Sequence, residues 1–165
     1  MFEMVLDKKL VEVNFDASNK EDVIKLLSGK MKKMGFVGSG FEEAVLQREK
    51  DYPTGLPTKI PVALCHVEAE YVNQTAMALA TLSNPVKFHN MGDPKSELSV
   101  EIVFLLTILD PKKQVVYLRK MMEIFKDNTL DNIKKANSKE EIIRILVDKL
   151  LRVDERKKND QEKIL

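Results

Sequence analysis

The chain has one cysteine in 165 residues, so no intrachain disulfide framework can hold it together, and it fits a reducing compartment. It has almost no net charge: Lys+Arg 27 against Asp+Glu 26 leaves +1, and no overall field favours nucleic acid or an anionic membrane. No apolar run approaches the roughly 18 residues of a spanning helix, and the opening MFEMVLDKKLVEVNF has no apolar core of the signal-peptide kind. Neither GxxxxGK followed by Ser or Thr nor GxGxxG occurs, so nucleotide binding by those loops is unsupported. There is no internal repeat and no low-complexity tract. These absences leave a cytoplasmic protein of one domain, long enough to bury a real core.

Within that frame, period and punctuation give the elements. Leu10–Phe15 alternates, with Val11, Val13 and Phe15 on one face, and reads as a strand. Ser18 followed by Glu21, and Ser39 followed by Glu42, have the spacing of helix capping boxes. The first opens a helix with Val23, Ile24, Leu27, Met31 and Met34 inward and Gly35 as its left-handed stop. The second opens a helix with Phe41, Ala44 and Val45 inward. Arg48, four after Ala44 and three after Val45, leaves from its buried side.

Further along, Tyr52–Ile60 is a loop carrying Pro53, Gly55 and Pro57, and the stretch Pro61–Val72 opens with a short apolar run, read as a strand, that stops on His66. Thr75–Leu82 reads as a strand, bounded by Asn73 and Asn84-Pro85, and Ser99–Ile108 as a central strand covered on both faces. Lys112–Lys126 is expected to be a helix with Val115, Leu118, Met122 and Phe125 on its apolar side. Ser138 with Glu141 caps the last helix, whose Ile142, Leu146, Leu150 and Val153 keep helical spacing. The expected fold is α/β: a single-domain sandwich with a mixed central sheet of about five strands and helices on both faces. The domain is placed at 1–153, with 154–165 as a charged C-terminal tail.

His66 is the chemical focus. A strand ending on imidazole delivers it to the rim of a sheet, and imidazole is largely neutral and nucleophilic near pH 7. A core histidine with both nitrogens satisfied is the competing reading. Cys65 is a weak partner, because neighbours on a strand point to opposite faces. His66-x-Glu68 is half of a zinc-deaminase signature whose Pro-Cys-x-x-Cys half is missing. A metal on His66, Glu68, Glu70 and His89 would need an unsupported convergence, so no metal and no cofactor are expected. His89, in KFHNMGDP, reads as a loop histidine.

Three segments taken together, REKDYPTGLPT (48–58), PVALCHVEAEYV (61–72) and NMGDP (90–94) leading into VEIVFLL (100–106), carry a family resemblance. The chain resembles a type-2 enzyme IIA (EIIA) component of the bacterial sugar phosphotransferase system (PTS), of the fructose–mannitol superfamily and its galactitol-like branch. The resemblance runs from about Leu10 to Leu151. It implies a phosphotransferase with a phosphohistidine intermediate: His66 takes a phosphoryl group on Nε2 from the phosphocarrier HPr and passes it to a cysteine of enzyme IIB, for uptake of galactitol or a related sugar or polyol. It places the family's arginine on Arg48, implies a monomer with transient complexes, and needs no nucleic acid or membrane insertion. Three departures stand out. The family commonly reads Pro-His followed by Gly or Thr, where this chain has Cys65 and Val67. Mannitol-like relatives carry a second active-site histidine near position 114, where Gln114 is the secondary phosphate-site candidate. The substituted flanks keep open a rival reading, a regulatory or interaction module with weakened phosphotransfer.

Overall fold

The computed structural model describes residues 3–152. The expected tail, 154–165, and Val153 lie outside the described residues. Five strands, β1 (Val11–Phe15), β2 (Gly55–Leu56), β3 (Val62–Cys65), β4 (Ala76–Asn90) and β5 (Asp93–Thr107), form one mixed sheet. Five helices accompany them: α1 (Lys20–Lys33), α2 (Phe41–Asp51), α3 (Gln114–Ile124), α4 (Thr129–Lys135) and α5 (Lys139–Val147).

The sheet is built on the long β4–β5 hairpin. Its antiparallel register runs from Ala76 opposite Thr107 to Asn90 opposite Asp93, broken by an irregularity between Thr81 and Val86. β1 adds in parallel to β4, and β3 adds in parallel to β5 with Cys65 beside Leu105. β2 pairs antiparallel with β3 and touches the hairpin tip, Gly55 beside Asn90. The pairings β4–β2–β3–β5–β4 therefore close on themselves. Because β3 and β5 are parallel, residues following them leave from the same rim of the sheet.

Alternation along the strands separates two cores. Ala63 and Cys65 of β3, Ala76, Ala78 and Ala80 of β4, and Val103 and Leu105 of β5 face α1 and α2, which contribute Val23, Ile24, Leu27, Met31, Phe41 and Val45. The small alanines let those helices lie close to the sheet. Leu64, Met77, Leu79, Ile102, Phe104 and Leu106 face the other way, against Tyr117, Met121, Leu130, Ile133, Ile142 and Leu146 of α3, α4 and α5. Both faces of the second half of β5 (102–107) are thus buried, as its apolar run requires, while the first half is polar and mostly exposed.

The C-terminus of α1 is set by Gly35 at φ 75°, with Phe36 N–H donating to Met31 O and Gly35 N–H to Lys32 O, the two-bond left-handed stop. Two of the three expected caps differ. Asn19 rather than Ser18 caps α1, its side chain accepting from Asp22 N–H, while Asp22 reaches back to Ser18 N–H; the same reciprocal logic is displaced by one residue. Gly40, in the left-handed region, precedes α2 with no side-chain cap, so Ser39 and Glu42 do not form the box. Ser138 does cap α5, accepting from Glu141 N–H at 3.1 Å.

Other expectations shift for identifiable reasons. In β1, Asn14 takes φ 52° at a break in register, and Phe15 packs with the α1/α2 core while Val11 and Val13 belong to the opposite one. α3 keeps half of its expected face: Phe125 is buried and Leu118 packs against the core, but Tyr117, Met121 and Ile124 also point inward, whereas Val115 is 64% exposed and Met122 faces out. The helix carries apolar residues on two stripes, and period alone cannot choose between them. The buried stripe is the one whose tyrosine hydroxyl finds a partner, the Glu3 carbonyl at 2.6 Å. His89 lies on β4 opposite Glu97, not in a loop. The Tyr52–Ile60 loop contains the two-residue strand β2.

Gly55 is the position where that loop tolerates no side chain: a Cβ there would stand 2.5 Å from the His89 carbonyl oxygen. Gly55→Ala is therefore expected to cost about 1–3 kcal/mol by forcing β2 away from the hairpin tip. A thermal or denaturant melt checks this, with Gly29→Ala inside α1 as the control, where nothing lies within 4 Å of the added Cβ and the change should stabilise by about 0.5–1 kcal/mol.

Candidate active site

His66 follows the last residue of β3 and is only 7% exposed. Its Nδ1 lies 2.9 Å from the Leu64 carbonyl oxygen, two residues back. A carbonyl can only accept, so Nδ1 carries the ring proton and Nε2 keeps its lone pair. That lone pair faces Arg48, whose Nη2 stands 3.4 Å away. The other terminal nitrogen, Nη1, pairs with Glu68 Oε1 at 3.0 Å, and the guanidinium carbon sits 5.6 Å from the centre of the Tyr52 ring. Arg48 Nε is buried with no hydrogen-bond partner among the described residues.

Burial is the largest influence on His66 and disfavours imidazolium. The Arg48 charge pushes the same way, while the Leu64 hydrogen bond and the Glu68 carboxylate push against it, and the net effect holds the ring below its ordinary pKa. The imidazole is therefore neutral at pH 7.

Behind this pair lies a polar cluster that the apolar pattern of α2 did not reveal. Glu49, next to Arg48, is 3% exposed. Its carboxylate accepts from Thr54 N–H at 2.9 Å and from the Thr54 hydroxyl at 2.8 Å, and the Cys65 thiol points at Oε2 from 3.7 Å. Burial raises the Glu49 pKa, and these donors oppose the rise. Burial and the adjacent carboxylate push the Cys65 thiol well above its ordinary range, so it is a protonated donor and not a thiolate nucleophile. Cys65 thus faces Glu49 while His66 faces Arg48. The sequence signal that could have exposed this cluster is Glu49 itself, four after Val45 on the inward stripe of α2.

Among the described residues, the side chains within hydrogen-bond distance of the Arg48 and His66 side chains are each other and Glu68. Gln114 is not in that set. It opens α3, half-buried, on the connection that leaves β5 from the same rim as His66. His89 is elsewhere, near the start of α1, and no group of three or more His, Cys, Asp or Glu among the described residues is placed to hold a metal. Nor is any helix among them long and apolar enough to cross a membrane.

A neutral imidazole with one fixed proton, an unprotonated Nε2 and a guanidinium whose N–H faces that nitrogen is suited, once the guanidinium turns to the incoming group, to nucleophilic attack on an anionic phosphorus centre. Comparison with known proteins narrows this. A sequence-family model described as phosphoenolpyruvate-dependent sugar phosphotransferase system, EIIA 2, matches residues 4–149. The chain belongs to that family. It is 26% identical over 102 residues to the galactitol-specific EIIA component of the PTS in Escherichia coli K12, covering 61% of this chain and 67% of that one. Mannitol enzyme IIA of Escherichia coli, solved in complex with phosphorylated mannitol enzyme IIB, shares the fold with a TM-score of 0.72 and 20% identity, covering 88% of this chain and 99% of that one. Nitrogen regulatory protein IIA-Ntr of Neisseria meningitidis also shares it, with a TM-score of 0.67 and 20% identity over 86% and 96% of the two chains. The chain is thus a type-2 EIIA with a phosphotransferase-carrier role in the PTS.

Removing the Glu49 carboxylate would strand a buried N–H and a buried hydroxyl. Glu49→Ala is expected to cost about 3 kcal/mol or more in a denaturant titration, against less than about 1 kcal/mol for exposed Glu43→Ala on the same helix.

Proposed function

We propose that this EIIA relays phosphate through His66: Nε2 accepts a phosphoryl group from phosphorylated HPr and passes it to a cysteine of a cognate enzyme IIB, serving uptake of galactitol or a related polyol. The observation that carries the reading is the hydrogen bond between Nδ1 and the Leu64 carbonyl, which leaves the Nε2 lone pair on the side of Arg48. In the transfer the Nε2 lone pair forms the new P–N bond as the donor's bond to phosphorus breaks, and that bonding pair returns to the donor. The Nδ1 proton stays toward the Leu64 carbonyl, which steadies the positive charge the ring acquires. Charge on the transferring group spreads over three oxygens, and the planar terminal donors of Arg48 are suited to receive them. The galactitol assignment leans on the Escherichia coli relative, and the IIB partner on the mannitol complex. The carrier works in the cytoplasm as a monomer with transient complexes, residues 1–153 forming the carrier domain and 154–165 a charged tail.

A regulatory reading is favoured by the substituted flanks of His66, Cys65 and Val67, and by the low exposure of His66 beside Arg48, which suits a slow switch better than a fast relay. The same experiment separates the two. Incubation with phosphoenolpyruvate, enzyme I and HPr is expected to label His66 with an acid-labile, alkali-stable phosphoryl group that enzyme IIB then removes. Label that stays on His66 in the presence of competent IIB supports the switch. Label on His89, or none, removes the assignment.

Two further outcomes are expected. Arg48→Lys keeps the charge but loses the planar fork, and should fold normally yet transfer about tenfold more slowly, ~1.4 kcal/mol of lost transition-state stabilisation; Arg48→Ala should be slower still, and Gln114→Ala should change the rate less. The rate should also fall on the acid side. Because the His66 pKa is lowered in the folded protein, the neutral nucleophile persists below the ordinary value, and the midpoint should lie under about 6.5. Single-turnover transfer from phosphorylated HPr across pH measures both.

A further inference from the structure

Glu68 is the charge nearest the reacting nitrogen that the relay itself does not use. It lies two residues after His66, where the chain leaves the sheet and enters a short turn at Ala69–Tyr71. Its carboxylate holds Arg48 Nη1 at 3.0 Å while Nη2 of the same guanidinium stands 3.4 Å from His66 Nε2. The Arg48 side chain is 27% exposed and that of Glu68 62%, so the pair lies at the mouth of the site and opens at little cost. One cation is thus shared between a carboxylate and the nitrogen that would carry phosphate.

A guanidinium fork meets carboxylate and phosphoryl oxygens with the same geometry. A phosphoryl group on Nε2 would arrive beside donors that Glu68 already engages, and would set its own negative charges near that carboxylate with only Arg48 between them. Among the described residues, Arg48 is the one cation lining the cavity of about 520 Å³ on that side, whose polar and aromatic lining is otherwise Glu43, Gln47, Asp51, Tyr52, Tyr71 and Glu68. Buried Glu49 faces away, toward Thr54 and Cys65.

Resting on the reading of His66 as phosphoryl acceptor, we propose that Glu68 is a positioning residue that sets the phosphoryl-transfer potential of the site: it aims Arg48 at Nε2 in the resting protein and then competes with the bound phosphoryl group for the same donors. Phospho-His66 is thereby kept a ready donor rather than a stable end state. Glu68 exchanges no proton or electron. On arrival the P–N bond forms at Nε2 as described above. On departure the acceptor's nucleophile takes the phosphorus, and Nε2 recovers its electron pair.

Glu68→Gln removes the charge and keeps the size. It should raise the equilibrium share of phosphorylated protein against HPr by roughly three- to tenfold, the effect of one partly exposed charge, and slow onward transfer to IIB by a similar factor. The melting temperature should stay near wild type. In the unphosphorylated variant the NMR titration midpoint of His66 should fall, because the carboxylate that favours imidazolium is gone. Glu68→Asp, which keeps the charge, should restore part of the wild-type balance. An equilibrium share unchanged or lowered in a Glu68→Gln protein whose His66 is still phosphorylated overturns the proposal and leaves the relay standing. So does a lowered melting temperature with no change in transfer, the mark of a merely structural ion pair. Wild-type protein that takes no phosphoryl group on His66 overturns the relay and this proposal together.

Discussion

A carboxylate with 3% exposure must find donors, and the three that Glu49 finds all belong to the segment that carries the histidine or to the loop before it. Thr54 supplies its backbone N–H and hydroxyl, and Cys65 supplies its thiol. The end of α2 is thereby tied to the end of β3. Arg48 precedes Glu49 and His66 follows Cys65, so the buried tie fixes the spacing of the Arg48–His66 pair one residue away on each side. Gly55 completes the constraint: only a residue without a Cβ lets the loop after Thr54 run against the His89 carbonyl.

The tie also gives a physical account of one departure from the family pattern. Where the family resemblance leads one to expect proline before the histidine, this chain carries Cys65. The stiffness of a proline ring is lost, but a side-chain hydrogen bond to a buried carboxylate takes its place. The thiol is held protonated by burial and by that carboxylate, which keeps it from competing with His66 as a nucleophile. Val67, in the place of a small residue, is buried and faces the α1/α2 core, so it helps anchor the turn that brings Glu68 back to Arg48.

Much of the fold was legible because its signals are local. Helical spacing in Val23–Met31, the left-handed Gly35 and the apolar run of β5 each point to one structure and get it. The exceptions have competing signals at equal strength. Asn19–Asp22 offers the same capping chemistry as Ser18–Glu21, α3 has two apolar stripes, and in β1 the phase changes at Asn14. At the candidate site, Arg48 and His66 were singled out from motif and face, and the structure places the two side chains side by side. Gln114 shares only their rim. Glu49 was missed because a charged residue on an inward stripe looks like a boundary of the apolar face; its donors come from five and sixteen residues away and become visible only once the chain is folded.

The central claim is that the fold presents Nε2 of a neutral His66, and not Nδ1, to the phosphoryl group. Two-dimensional proton–nitrogen NMR of the imidazole, before and after incubation with phosphoenolpyruvate, enzyme I and HPr, tests it directly. The account predicts that the resting ring bears its proton on Nδ1, and that phosphorylation moves the Nε2 shift and couples that nitrogen to phosphorus. A resting proton on Nε2, or phosphorus coupled to Nδ1, would contradict it.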